Sequence, residues 1–111
     1  PEPDPVAVAE IGAMHARHVV LRSMSIALTA MITRGENPLV AAAVMKDLGT
    51  RGEQDLAEVV TRLVGGDPSR SAPVELLEAL SYTSQMAPTF SLRGGTREIL
   101  RGMIARGLGL R

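Results

Sequence analysis

The sequence predicts an all-α fold, an up-and-down bundle of about four helices. Three observations point there. Aromatic residues make up only 2% of the chain, one Tyr and one Phe, so the core has to come from Leu, Val, Ile, Ala and six Met. Helix packing accepts that set, whereas strands favour aromatic and β-branched residues. Apolar residues recur at helical spacing in four segments bounded by Pro, Gly or a capping residue. No segment alternates apolar and polar residues with a period of two, so no strand is expected.

The first segment runs from Val6 to Thr33. The opening prolines keep the chain out of a helix until about Pro5. Met14, Leu21 and Leu28 then recur every seven residues, with Met24, Met31 and Ile32 beside them. The opposite side is apolar too, with Val19, Val20, Ile26, Ala27 and Ala30, and Arg22 is the only charge between His18 and Arg34. A helix apolar all round is buried on more than one side. Three other short helices could hardly cover it, so part of its cover is expected from outside the chain.

Thr33 to Asn37 reads as a turn. Asn37 and Pro38 read as N-cap and first helical residue of a second helix that runs to about Val64. Its stripe is Met45, Leu48, Leu56, Val59 and Leu63. On the wet face Asp47 with Arg51, Arg51 with Asp55, and Glu58 with Arg62 are i,i+4 pairs, each worth about 0.2–0.5 kcal/mol. Gly49 and Gly52 fall mid-helix at about 1 kcal/mol each relative to Ala. That leaves two readings, a tolerated cost or the close approach of another backbone. Gly65 and Gly66 end the helix, with Pro68 beyond.

A loop leads to Pro73 at the start of a third helix, which runs to about Met86 with Val74, Leu77 and Leu80 inward; Pro88 is expected to stop it. Residues 89–95 are irregular. Thr96 is the best N-cap for a fourth helix, with Glu98 in the favourable first turn. Ile99, Leu100, Met103, Ile104 and Leu108 form its apolar face, and Gly107 and Gly109 fray its end.

A chain of 111 residues is enough for one domain, 1–111, and too short for two. Twelve basic and 12 acidic residues balance, and no basic stripe stands out. The electrostatic footprint of a nucleic-acid binder is missing. The absence of Cys excludes disulfides and thiolate chemistry and fits a reducing, cytoplasmic setting. No uncharged apolar run of about 18 residues exists, so no membrane helix is expected. No signal peptide is visible, and the opening Pro-Glu-Pro-Asp-Pro without Met reads as a cut or an ordered boundary.

His15 and His18 share a helix face, but two ligands make no metal site, and none is expected. The six Met read as gap-filling core. No Gly-x-Ser-x-Gly nucleophile motif is present. The segment from Arg93 to Glu98 is different. A helix start exposes unpaired N–H groups and partial positive charge. Gly94 and Gly95 let the backbone come close to a ligand, and Thr96 adds a hydroxyl. Taken alone, the same residues also make an ordinary turn with an N-cap. Arg93 and Arg97 beside them steer charge or are simply solvated.

The whole pattern adds to this. Gly94-Gly95-Thr96, Glu98-Ile99, then Ile104-Ala105, Arg106 and Leu108-Gly109-Leu110 resemble the C-terminal end of acyl-CoA dehydrogenases. That family closes with Gly-Gly-Thr-x-Glu-Ile, a short gap, and Ile-(Ile/Ala)-x-Arg-x-Leu-Gly-Leu. Residues 35–66 resemble the family's preceding long helix, which also ends in Gly-Gly. The resemblance implies the C-terminal helical domain of a larger flavoenzyme, without its other domains and the first helix of its bundle.

It further implies FAD at a subunit interface, with Gly95, Thr96 and Glu98 against the cofactor and Gly65 and Gly66 against the adenosine half of FAD in the neighbouring subunit. Arg62 stands where the family often has Gln. The reaction implied is removal of two hydrogens from an acyl-CoA thioester, for a separate electron acceptor. In many members the base is a Glu directly before Gly-Thr; here that position is Gly94, so no catalytic residue is expected on this chain. The implied assembly is a homo-oligomer, dimer or tetramer, or a hetero-oligomer. Alone, the chain is expected to be inactive and to hold FAD poorly. The alternative is a helical dimerisation or ligand-binding module of a bacterial regulator, which a helix-turn-helix upstream in the gene would favour.

Overall fold

The computed structural model describes residues 2, 4–65 and 71–110. Four helices follow one another: α1 (Pro5–Thr33), α2 (Leu39–Gly65), α3 (Val74–Phe90) and α4 (Arg97–Gly107). There is no strand among the described residues. The all-α class and the helix number are as expected from the sequence.

Every helix packs through α2. It touches each of the other three, and α1, α3 and α4 do not pack on one another among the described residues. α1 runs antiparallel to it: Arg17 pairs with Asp55 at 2.8 Å, and Glu10 with Arg62 at 3.4 Å. α3 and α4 also run antiparallel to α2 and lie end to end along it. Ala87 meets Gln54, Arg97 meets Asp47, and Gly107 reaches Val40. The molecule is thus three rows of helix, 53 × 27 × 25 Å overall.

The core is thin. Among the described residues it consists of Leu28, Ala43, Ala57, Val59 and Leu100, with Thr50 as the one buried polar residue. Ala43, Thr50 and Ala57 stand seven apart and so share a side of α2. Of the stripe expected on α2, Val59 is buried, but Leu48 and Leu56 are exposed. A helix gripped by several others has narrow seams; small side chains fill them and the large ones are turned out. On α3, Val74 and Leu77 are likewise exposed and nothing is fully buried. On α4, Leu100 is buried as expected, whereas Ile99 and Leu108 are exposed. On α1 only Leu28 is buried, and Val6, Val8, Ile11, Val19, Val20, Ile26 and Ile32 are open. The uncovered apolar face expected from the sequence is present.

Local chemistry explains the helix ends. The Asp4 carboxylate accepts from the Val6 N–H at 3.0 Å, with Pro5 opening α1. α1 and α4 close alike. Gly35 (φ 75) and Gly109 (φ 76) take the left-handed conformation, and the next N–H bonds back five residues, Glu36 to Met31 and Leu110 to Ala105. Gly109 therefore caps α4 and does not fray it. α2 starts one residue later than expected, because the Pro38 carbonyl takes the first helical bond, from Ala42 at 2.8 Å. α3 runs past Pro88 to Phe90. Proline at 88 forfeits one backbone bond, to the Ser84 carbonyl four residues back, and the helix continues two residues beyond it, where the carbonyls of its last turn have side-chain donors. The Thr89 hydroxyl serves Met86, Gln54 serves Ala87, and the Ser91 hydroxyl serves Pro88.

No backbone approaches Gly49 or Gly52. A Cβ at Gly49 would meet only the Leu21 side chain at 3.9 Å, and one at Gly52 would meet nothing within 4 Å. These two glycines are tolerated costs. The close approach is at Gly107 instead, where a Cβ would overlap a Val40 methyl.

Candidate functional site

Residues 91–96 turn the chain from α3 into α4. Gly94 (φ 68) and Gly95 (φ 106) both lie where a side chain would be strained. Thr96 is extended and opens α4 (φ −69, ψ 162). Gly95, Thr96 and Glu98 thus lie together on the turn and the first turn of α4. Gly65 is not with them. It ends α2, roughly 28 Å along the axis from Lys46, whose side chain lies under the turn, at 1.5 Å per residue. Gly66 lies outside the described residues.

Thr96 occupies the N-cap position, but its hydroxyl does not cap the helix. It faces the Glu98 carboxylate. Glu98 is exposed, and its carboxyl is held below the usual range, first by its own backbone N–H and then by the Thr96 hydroxyl. Among the described residues, no backbone carbonyl accepts from the N–H groups of Arg97 and Ile99. Two donors at the start of α4 therefore remain unused by the fold.

The flanking arginines are committed. Arg93 pairs with Glu53 at 2.9 Å and lies over the Phe90 ring, 4.9 Å from its centroid. Arg97 donates to Asp47 at 2.9 Å, and Arg101 donates to the other Asp47 oxygen at 3.5 Å. Partial burial pushes the Asp47 carboxyl up, but the hydrogen bond and charge of Arg97, joined by Arg101, outweigh it and hold it low. Neither arginine is simply solvated.

The pairs expected along α2 are not the ones formed. Asp47 binds Arg97 and Arg101, Asp55 binds Arg17, and Arg62 binds Glu10. Sequence spacing shows only partners on the same helix, and α2 has partners on each of the three other helices. Sequence reasoning also missed Lys46 and Gln54, which donate to the carbonyls of Phe90 and Ala87 at 3.4 and 3.0 Å. A signal for them existed: Lys46, Asp47, Thr50, Glu53 and Gln54 follow i, i+1, i+4, i+7, i+8, one polar face of a helix. No group of His, Asp or Glu among the described residues could hold a metal. No described helix is long and apolar enough to cross a membrane.

The family model described as acyl-CoA dehydrogenase, C-terminal domain, matches residues 3–109. No curated protein and no solved structure matches the chain.

Proposed function

The chain belongs to the acyl-CoA dehydrogenase family, and on that premise we propose that it is the C-terminal helical domain of a larger flavoenzyme that dehydrogenates an acyl-CoA thioester. Its share of the work is to form part of the FAD site and to join subunits. The observation that carries this is the α4 start: two glycines at positive φ, followed by helix N–H groups without an acceptor. Such a surface suits the polar, partly anionic edge of FAD. Gly95 and Thr96 would hold that edge with N–H and hydroxyl donors, and the Glu98 carboxylate would accept from an N–H or O–H of the cofactor. Gly65, far along α2, and Gly66 after it in sequence would serve the cofactor of a neighbouring subunit. The chemistry that bound FAD would supply is that of a hydride acceptor for the substrate β-carbon.

No residue of this chain is the base that removes the α-proton. Gly94 has no side chain, and Arg93 is a cation bound to Glu53. Glu98 is a carboxylate held below its usual range, which makes it a weaker base still. The base belongs to another segment of the enzyme. Alone, this chain forms only part of the site's wall, so it should bind FAD weakly and catalyse nothing.

Glu98→Gln and Thr96→Val in the full-length protein test the reading. FAD retention, followed by flavin fluorescence, should weaken in both. The rate of FAD-saturated Glu98→Gln enzyme should stay within about tenfold, a barrier change under about 1.4 kcal/mol. A loss of several orders of magnitude in the chemical step, with FAD still bound, would make Glu98 the base and end this assignment.

A further inference from the structure

We propose that Lys46 and Asp47 form a two-sided clamp that sets the position of the Gly94–Gly95 turn, with Lys46 the positioning residue on the α3 side. Consecutive residues of a helix project about 100° apart, so these two can reach different neighbours from one level of α2. Lys46 reaches the end of α3, where its ammonium donates to the carbonyl of Phe90, the last residue of that helix, at 3.4 Å. Asp47 reaches the start of α4, where it accepts from Arg97, the first residue of that helix, at 2.9 Å. The clamp thus closes on both ends of the segment that carries the two positive-φ glycines.

Lys46 is itself held. Its ammonium also donates to the Thr50 hydroxyl at 2.7 Å, and Thr50 is the buried polar residue of the core. None of the ion pairs among the described residues uses Lys46. Its Cε lies 3.6 Å from where a Gly94 Cβ would stand, so the stem runs directly under the turn. A lysine anchored on the core and bonded to a neutral carbonyl fixes backbone; it does not balance charge. With glycines free to take many conformations, such fixed ends determine where Thr96 and Glu98 are presented. The functional consequence rests on the reading of this turn as a cofactor contact; the geometry does not.

Lys46→Met keeps the stem under Gly94 and removes the ammonium. In the full-length protein it should speed amide exchange at Gly95 and Thr96 by about tenfold or more while α1 stays unchanged. It should also weaken FAD binding by about tenfold. Lys46→Arg should restore both, since the guanidinium still donates. Thr50→Val, which removes the anchor and keeps the shape, should act like Lys46→Met and replaces it if that variant does not fold. Unchanged exchange at the turn overturns the clamp. Faster exchange with unchanged FAD affinity upholds the clamp and overturns the cofactor reading.

Discussion

The Arg97 guanidinium meets the Asp47 carboxylate at 2.9 Å, with only 25% and 17% of the two side chains exposed. It joins residues 50 apart in sequence and fixes the start of α4 on α2. Arg17 and Asp55 approach as closely, at 2.8 Å, but stand 58% and 35% exposed. Burial separates the two pairs energetically. Asp47→Asn should cost about 1.5–3 kcal/mol, the range for hydrogen bonds to charged groups. Arg17→Ala should cost under about 1 kcal/mol, since exposed pairs are screened by water. Urea denaturation of the three proteins gives the comparison, and equal losses would mean that burial does not set the ranking.

Acid should erase the difference between wild type and Asp47→Asn. The folded Asp47 carboxyl is held below its ordinary value of 3.8. Its contribution is therefore present above that value and lost as pH falls through the lower, folded value. Urea midpoints of the two proteins should stay apart from neutrality down to about pH 5 and converge below about pH 4. A gap that persists unchanged in stronger acid would show that the ion pair is not its source.

Two glycine-to-alanine changes should have opposite signs. Gly52→Ala meets nothing within 4 Å and should stabilise by about 0.5–1 kcal/mol through helix propensity. Gly107→Ala forces a methyl onto Val40, whose branched side chain has little freedom to turn away. The overlap should outweigh the same propensity gain and leave a net loss of about 1–3 kcal/mol. Adding Val40→Ala should recover most of it. Thermal melts of the four proteins decide, and a stable Gly107→Ala single variant would contradict the packing of α4 on α2.

The isolated chain should self-associate at micromolar concentration. Val19, Val20 and Ile26 on α1 are 47%, 53% and 62% exposed, and further apolar residues extend the patch. Contiguous apolar surface beyond a few hundred Å² is rare on monomers. Sedimentation should show oligomers, and Val20→Ser with Ile26→Ser should shift the distribution toward monomer. A wild-type chain that sediments as a monomer throughout would show that this face needs no cover.

Helix existence was legible because Pro, Gly and capping residues punctuate the chain and local chemistry decides such positions. Asp4 ahead of Pro5, and Thr96 ahead of α4, both open helices. Pro88 misled because a proline two residues from a helix end forfeits a single backbone bond, while Gln54, Thr89 and Ser91 donate to the carbonyls of the last turn. The core was less legible. Leu48 and Leu56 fit a helical stripe, yet Ala43, Thr50 and Ala57 are buried. Which side of α2 faces inward depends on three neighbours, none of which the α2 sequence encodes. At the site, Gly95, Thr96 and Glu98 were visible as a contiguous string. Lys46 and Asp47 were not, since their partners lie 44 and 50 residues away in sequence.

A packing map of the described residues is a star: α2 at the hub, three spokes, and no packing between spokes. In such a graph, cutting any spoke leaves the rest packed, while removing the hub leaves no packing among the other three. α4 could thus detach from α2 without loosening α1, and local opening at the turn need not propagate to the far row. Substitutions on different spokes should be nearly additive, because they share no neighbour except α2. Substitutions on the buried side of the hub have no such independence.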